Sequence, residues 1–362
     1  MQALLKPLLE LAEYEDIVKK KKEAPGVLML TGCVNSQKTH MMYALSDGCC
    51  YKVIACSSEA KAKQIYEEYR FLDAAISFYP AKDLLFYQAD IRSKELVSQR
   101  MQVVQAVLKG EPITVVGSFM DALLPKEMIK SRVIKICSDE TLNLDELSVK
   151  LAQCGYDREI EVAGPGQFAV RGGILDVYPL TEELPVSIEL WGDEVDSIRT
   201  FDPETQRSIE KLDEVEVFPA TEFPEEEEKR VSFLDYFEKE NTILFLDEPV
   251  RLKEKGEGVE EEFLEAQKRR AQSGYEVADS EAVLFTTQEI MRKMNEYSSV
   301  GFQALDMRCP GLNIRASYNL QTKNVDPYNR SFELLTQDLK KMKRNQSRVF
   351  LLPGSRTRAR RL

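Results

Sequence analysis

The fold is decided by one stretch, Gly26-Val-Leu-Met-Leu-Thr-Gly32-Cys-Val-Asn-Ser-Gln37-Lys38-Thr39. It begins as a short apolar run that predicts a buried strand, and it continues through a glycine-containing loop. We expect a helix from about Lys38. In a phosphate-binding loop between a strand and a helix, a Lys-Thr pair reaches the β/γ-phosphates and holds Mg²⁺. The stretch therefore predicts the first strand, loop and helix of a P-loop-type α/β domain.

The loop departs from that pattern at Gln37, where a glycine is expected. The glycine lets backbone N–H groups approach phosphate, whereas a side chain there would crowd the site. We expect Gln37 to be forced to positive φ, which costs a non-glycine residue about 1–2 kcal/mol. We therefore interpret Gly32, Gln37, Lys38 and Thr39 as a degenerate nucleotide site that does not hydrolyse ATP. The sequence leaves open whether the site still binds nucleotide.

An acidic pair, Asp247-Glu248, follows the apolar run at 241–246. In a working P-loop enzyme such a pair would hold Mg²⁺ and orient the attacking water. The alternative is that the pair ends a strand, with Pro249 in the first turn of the next helix. The sequence leaves both interpretations open. It assigns no catalytic residue, no protein-ligated metal and no bound cofactor to this chain.

The flanking pattern alternates strands and helices. Strands are predicted at 51–56, 112–116 and 241–246, and an amphipathic helix at 96–108, which together indicate a parallel sheet covered on both faces. From about 133 to 219 the runs become short and alternating, with hairpin turns expected at Gly172-Gly173 and Gly192-Asp193. The predicted fold class is α/β: a P-loop NTPase-like parallel sheet, split by an inserted small α+β antiparallel domain.

This organisation predicts four segments. They are the first part of the α/β domain (1–130), the inserted domain (131–222), the second part of the α/β domain (223–328), and the start of a further domain (329–362). A helix is expected at 332–342, a strand at 348–352 and the beginning of a helix at 355–361. Because such a strand and half-helix cannot bury their apolar faces alone, we expect that further domain to be truncated.

Composition limits the classes of function. The 49 Lys and Arg residues are outnumbered by 61 Asp and Glu residues, for a formal net charge of −12. This excess argues against a broad nucleic-acid-binding face, which needs clustered cations. Seven cysteines without a C-x-x-C pair, together with one histidine, make a zinc site unexpected and fit free thiols in a reducing cytoplasm. Without an eighteen-residue apolar run or a signal peptide, the chain is expected to be cytoplasmic and without a membrane partner.

The inserted domain contains three specific motifs. They are Gly164-Pro-Gly-Gln-Phe-Ala-Val-Arg-Gly-Gly-Ile-Leu-Asp-Val-Tyr-Pro179, then Pro185-Val-Ser-Ile-Glu-Leu-Trp-Gly-Asp-Glu-Val-Asp-Ser-Ile-Arg-Thr-Phe-Asp202, and Thr205-Gln-Arg207. They resemble the domain shared by the excision-repair subunit UvrB and the bacterial transcription-repair coupling factors (the Mfd family). The order of domains over all 362 residues resembles the N-terminal UvrB-homology module of the coupling factors. UvrB-like proteins keep the P-loop glycine and carry a long aromatic hairpin, for which the segment at 86–94 is too short.

The resemblance implies that the inserted domain binds UvrA, the damage-recognition ATPase of excision repair. It implies that RNA polymerase, double-stranded DNA and ATP with Mg²⁺ are engaged by parts of the parent protein beyond residue 362. The matching interface positions are Arg171, an arginine where this chain has Ser187, and an aromatic residue where it has Trp191. The missing arginine at Ser187 weakens or reshapes the expected contact.

The residues themselves point to the same surface. Strand alternation over 186–191 sends the three apolar residues to one face, and Ser187, Glu189 and Trp191 to the other. Exposed Arg and Trp are the residue types that anchor interfaces. The alternative is that Trp191 covers a hairpin end while Arg171 pairs internally with Glu189 or Asp176. Two further candidates are Arg199 and Arg207.

Three functions follow from these observations. The favoured one is a protein-recruitment module that binds UvrA. The second is a residual nucleotide-binding or ATPase domain of a repair helicase, using Lys38, Thr39, Asp247 and Glu248. The third, DNA binding without sequence preference, is disfavoured by the excess of acid.

Overall fold

The computed structural model of the chain describes residues 5–81, 94–118, 122–221, 230–274, 284–320, 322–323, 328, 331–349, 357 and 360. The chain divides into two compact units, 1–321 and 322–362. None of the described helices has the length and apolar character needed to cross a membrane.

The strands of the described residues are, in chain order, β1 (Gly26–Thr31), β2 (Tyr51–Ala55), β3 (Ile76–Tyr79), β4 (Ile113–Gly117), β5 (Ala122–Leu123), β6 (Ile134–Cys137), β7 (Asp157–Arg158), β8 (Gln167–Arg171), β9 (Ile174–Tyr178), β10 (Val186–Trp191), β11 (Glu194–Phe201), β12 (Ser208–Leu212), β13 (Glu214–Val217), β14 (Val231–Ser232), β15 (Thr242–Asp247), β16 (Ser298–Gln303) and β17 (Ile314–Asn319). The α-helices are α1 (Tyr14–Glu23), α2 (Asn35–Leu45), α3 (Glu59–Tyr69), α4 (Lys94–Leu108), α5 (Lys126–Arg132), α6 (Leu144–Gln153), α7 (Pro249–Gln272), α8 (Thr287–Met294) and α9 (Phe332–Arg344). Short 3-10 helices cover Lys6–Glu10, Phe233–Tyr236 and Lys239–Asn241.

The larger sheet has seven strands in the order β17-β1-β16-β15-β2-β4-β3, and every pairing within it is parallel. Its two faces pack against separate hydrophobic clusters: Val27 and Met29 of β1 belong to one, and Leu28 and Leu30 to the other. A strand buried on both faces reads as a continuous apolar run, which is the pattern that the sequence carries at 26–31. The predicted α/β class is confirmed.

The sheet is assembled from two parts of the chain. Strands β1 to β4 precede the antiparallel strands of the smaller domain, whereas β15, β16 and β17 follow them and insert between or beside the earlier strands. The inserted position of the smaller domain is therefore a feature of the fold. The exact domain limits at 130, 222 and 328 stay predictions.

The smaller domain is built on a six-stranded sheet in the order β12-β11-β10-β9-β8-β7, antiparallel except where β7 meets β8. Gly172 and Gly192 have φ values of +60° and +66° in the two-residue turns that join β8 to β9 and β10 to β11. Both predicted hairpins are confirmed, since glycine adopts these left-handed conformations without a Cβ penalty. One face of the sheet packs with Leu147 and Leu151 of α6 in a third hydrophobic cluster.

Helix α4 attaches the smaller domain to the larger sheet. Ser98 Oγ donates to the Leu180 carbonyl at 2.6 Å, and Gln105 Nε2 donates to Glu182 Oε1 at 3.3 Å. Lys94 forms an ion pair with Asp157. The three contacts are spaced along α4, so they set the orientation of the domain as well as its position.

The start of one helix differs from the prediction. Helix α2 begins at Asn35 rather than near Lys38. The predicted helix at 332–342 is confirmed as α9, which Ser331 caps by accepting a hydrogen bond from the Leu334 N–H. The segments predicted at 86–93, 350–352 and most of 355–361 lie outside the described residues.

Candidate functional site

The residues of the predicted nucleotide site converge at the carboxyl ends of β1 and β15. Lys38 Nζ lies 2.7 Å from Asp247 Oδ1 and 2.7 Å from Glu248 Oε1. Lys38 and Asp247 are 3% and 1% exposed. The acidic pair is thus the ion-pair partner of the lysine, and Pro249 also starts a helix as the alternative interpretation expected.

The backbone of the loop differs from the prediction at Gln37. Because α2 begins at Asn35, Gln37 is a helical residue and not a positive-φ residue, so the expected strain is wrong. The N–H groups of Gln37 and Lys38 both donate to the Val34 carbonyl at 3.0 Å. In a phosphate-binding loop, such N–H groups point at the anion instead. Gly32 keeps a positive φ of +71°.

Glu248 is held in an unusual backbone conformation. Its φ of +54° and ψ of +69° lie in the left-handed region, which non-glycine residues seldom occupy. Two contacts with the end of β16 hold it there: its N–H donates to the Phe302 carbonyl at 2.8 Å, and its Oε1 accepts from the Ala304 N–H at 3.0 Å. The Glu248 carboxylate therefore accepts hydrogen bonds from both Lys38 and the Ala304 N–H.

The positive charge of Lys38 is compensated within the site. Burial alone would lower the pKa of Lys38, but the charge of Asp247 and hydrogen bonds to both acids outweigh it and raise the pKa above its ordinary value. For the nearby Cys33 thiol, burial is the main effect and raises the pKa to about 11. Lys38 is thus a cation at neutral pH with two carboxylates already in contact. Thr39 is buried beside it, at 5% exposed.

The second candidate site is the face of the smaller sheet opposite its hydrophobic core. Along β10 the three apolar residues are buried, and Trp191 is 85% exposed. Cross-strand register places Arg171, Ile174 and Glu189 in one row on this outer face. Trp191 follows two residues after Glu189 on the same face and directly precedes the Gly192 turn. The predicted alternation is confirmed for Trp191 and the apolar residues.

Comparison with known proteins bears on the domain that contains this second site. Residues 134–223 match the family described as the UvrB interaction domain. This segment includes every strand of the six-stranded sheet and both Arg171 and Trp191.

Curated relatives match a larger part of the chain. The transcription-repair-coupling factor of Bacillus subtilis (strain 168) is 40% identical over 169 residues, 45% of this chain and 14% of that protein. The factors of Staphylococcus aureus (strain Mu50 / ATCC 700699) and Staphylococcus haemolyticus (strain JCSC1435) are 35% and 38% identical over 158 and 148 residues, 42% and 40% of this chain and 13% of each protein. The chain therefore spans about one seventh of the length of these relatives. Its resemblance to a UvrB-homology module of coupling factors is confirmed.

Two predicted interface residues do not belong to the exposed group around Trp191. Ser187 is on the outer face but only 6% exposed, so its hydroxyl is not part of an open surface. Arg207 is exposed in the turn after β11, whereas Trp191 precedes the start of β11. An eight-residue strand separates its ends by roughly 23 Å, so Arg207 does not join the group around Trp191.

Two ion pairs organise the outer face. Arg171 Nη2 donates to Asp176 Oδ2 at 2.5 Å, and Arg199 Nη1 lies 3.4 Å from Glu189 Oε2. The expected internal pairing of Arg171 is thus with Asp176 and not with Glu189. The expectation that Trp191 covers the end of a hairpin is wrong, because an indole that is 85% exposed covers little of the hairpin. A sequence signal for Asp176 exists: it is the one charged residue in the apolar strand Ile-Leu-Asp-Val-Tyr.

Proposed function

We propose that this chain is a protein-recruitment module that binds UvrA through the outer face of its UvrB interaction domain. The observation that carries the proposal is the exposed indole of Trp191, on the same face as a half-exposed Arg171, in a segment that matches this family. In a coupling factor, such a module would bring excision repair to a stalled RNA polymerase. Contacts with polymerase and duplex DNA would be made by other parts of that protein.

The chemistry of the face suits a protein partner. Trp and Arg dominate interface energetics because they bury large areas and donate several hydrogen bonds. Trp191 offers an apolar surface that a partner pocket can enclose, and Arg171 offers a guanidinium held at the surface. The Arg199–Glu189 pair, in which both side chains are partly exposed, is suited to the polar rim of an interface.

The P-loop-type domain would serve as a scaffold that neither hydrolyses nor requires ATP and Mg²⁺. Support comes from Lys38, whose ammonium contacts two carboxylates where a nucleotide would place phosphates. Further support comes from the Gln37 and Lys38 N–H groups, which donate to Val34. A phosphate would have to displace these contacts one by one. On this proposal the chain itself is not an enzyme.

A second candidate is a residual nucleotide switch. The observation in its favour is that Lys38, Thr39, Asp247 and Glu248 meet at one end of the sheet, as they would in a working site. Displacing the carboxylates from Lys38 would leave Asp247 buried without its cation, which is unfavourable unless Mg²⁺ replaces it.

Binding of DNA without sequence preference has less support. A salt-dependent gel shift by this chain would make DNA binding a candidate function again.

The proposal is tested by calorimetric titration of the chain with purified UvrA. Trp191→Ala and Arg171→Ala are each expected to weaken binding by about 30-fold or more, since truncating a buried anchor costs about 2 kcal/mol. Ile160→Ala is the matched control, because Ile160 is 90% exposed in the same domain but outside the outer-face strands. If the Arg171→Ala, Trp191→Ala double variant binds UvrA with wild-type affinity, the assignment of the binding site to this face is wrong.

A further inference from the structure

We infer that Asp176 is the positioning residue of the interaction face, fixing the guanidinium of Arg171 in the orientation that meets the partner. This inference rests on the proposed function and deepens it. It assigns a role to a carboxylate that the partner itself does not touch.

Asp176 occupies an unusual place for a charged residue. It lies in the middle of β9, on the face opposite the hydrophobic core, and it is only 3% exposed. Its cross-strand neighbours are Ala169 on β8 and Ser187 on β10, both small and both buried. Arg171, which lies opposite Ile174 in the next row on this face, reaches the carboxylate past these small neighbours.

A buried carboxylate needs a partner, because removing it from water is costly unless a cation and hydrogen bonds replace the lost solvation. Among the described residues, Arg171 is the only cation within ion-pair distance of Asp176. The Arg171 side chain remains 48% exposed while that of Asp176 is 4% exposed. One end of the pair is therefore anchored in the sheet and the other end faces solvent.

This geometry orders a side chain that is otherwise flexible. A guanidinium has five N–H donors in a planar fork, and the Nη2 group is committed to Asp176. The remaining donors stay available at the surface in a fixed plane. Ordering a long side chain before binding removes part of the entropy that association otherwise costs. The partner chemistry that fits this fork is a carboxylate or a pair of carbonyl oxygens, beside an apolar pocket for Trp191.

The neighbouring pair provides an internal comparison. Arg199 and Glu189 lie on the same face, but their closest atoms are 3.4 Å apart and their side chains are 36% and 43% exposed. Two exposed charges in solvent contribute little to each other's orientation. Glu214 forms a comparably exposed ion pair with Lys135 on strands outside this face, so Glu214→Gln removes a carboxylate from the same domain without touching the interface and is the matched control.

The test is a double-mutant cycle in UvrA binding. Asp176→Asn is expected to weaken binding by about tenfold, whereas Glu214→Gln changes it less than threefold. Adding Asp176→Asn to Arg171→Ala is expected to weaken binding no further, because the carboxylate acts through that arginine. If the two losses multiply in the double variant, or if Asp176→Asn binds as wild type does, the inference is overturned.

Arg171→Lys keeps the charge but loses the planar fork, and it covers the case in which Asp176→Asn does not fold. It is expected to lower affinity by about tenfold while the melting temperature stays close to wild type. If Arg171→Lys binds UvrA with wild-type affinity, the inference that an oriented guanidinium meets the partner is overturned, even if Asp176→Asn cannot be prepared.

A readout without the partner separates this inference from the proposed function. In side-chain NMR, a pinned guanidinium gives separate Nη proton signals, and a freely rotating one gives an averaged signal. Arg171 is expected to give separate signals in the wild type and in Glu214→Gln, and averaged signals in Asp176→Asn. If the wild type gives separate signals but does not bind UvrA, the proposed function fails while the positioning stands. Averaged Arg171 signals in the wild type would overturn the positioning itself.

Discussion

Lys38 Nζ and Asp247 Oδ1 lie 2.7 Å apart although 209 residues of chain separate them. One residue follows the first strand of the larger sheet, and the other ends β15, which follows the inserted domain. The ion pair therefore links the two halves of the split sheet directly. At positions that would bind nucleotide in a working P-loop domain, this chain has an ion pair between the two halves.

The first prediction is that Lys38→Met destabilises the fold by about 3–5 kcal/mol, the usual effect of removing one partner from a buried ion pair. The variant leaves Asp247 buried with an uncompensated charge. Urea unfolding followed by circular dichroism measures the change. Lys63→Met is the control, because Lys63 pairs with Glu59 at the surface and should cost less than about 1 kcal/mol.

A second substitution sharpens this prediction. Asp247→Asn added to Lys38→Met removes the orphaned charge, so the double variant is expected to be more stable than Lys38→Met alone. If Lys38→Met costs no more than Lys63→Met, the buried pair does not link the halves in the way described.

The second prediction is that ATP leaves the melting temperature unchanged at millimolar concentration, with or without Mg²⁺. A ligand that binds only the folded state raises the melting temperature, and Lys38 has both of its carboxylate contacts to lose on binding. Differential scanning fluorimetry makes the measurement. Gln37→Gly is the informative variant, and it is also expected to give no shift, because α2 still begins at Asn35. A dose-dependent rise in the wild type would favour the residual nucleotide switch.

Much of the fold could be predicted from the sequence because strong patterns specify it. The apolar run at 26–31 and the glycine turns at 172–173 and 192–193 each have few structural alternatives, and all three were confirmed. The position of Trp191 also followed from simple alternation. These features depend on residues that are adjacent in the chain, so their pattern can be recognised without knowledge of the tertiary structure.

The errors arose at contacts that hydrophobic periodicity does not encode. Helix α2 starts three residues early, and the Val34 carbonyl accepts hydrogen bonds from Gln37 and Lys38, so Gln37 is helical and lacks the strain that a P-loop geometry predicts. Ser187 is buried although alternation places it on the polar face, because it lies across from the buried Asp176.

The third prediction concerns alkaline pH. The pKa of Lys38 is raised above its ordinary value of 10.5, since the charge of Asp247 outweighs the effect of burial. A raised folded-state pKa means that the ion pair's contribution is complete below the unfolded value and is lost as pH rises through the folded value. The stability difference between wild type and Lys38→Met should therefore be constant from about pH 6 to about pH 9, and should shrink above 10.5.

Comparing the wild type with Lys38→Met separates the titration of Lys38 from that of other groups. Buried tyrosines such as Tyr156 and Tyr69, whose pKa values are raised by burial, destabilise both proteins equally at high pH and cancel in the difference. Urea titrations at each pH provide the measurement. A stability difference that grows between neutral and alkaline pH would contradict the assignment of a charged Lys38.

The fourth prediction uses the single tryptophan of the chain. Biosynthetic 5-fluorotryptophan gives one ¹⁹F signal, from Trp191, and its 85% exposure predicts strong sensitivity to a soluble paramagnetic quencher in the free protein. Addition of unlabelled UvrA is expected to shift or broaden the signal and to protect it from the quencher, because an interface anchor is enclosed on binding. Arg171→Ala should keep the free signal and lose the protection. The control is Ile160→Ala, which should be protected as the wild type is, so that a loss of protection in Arg171→Ala is not a general effect of surface substitution. If UvrA binds and the ¹⁹F signal stays sensitive to the quencher, the interface lies on another surface.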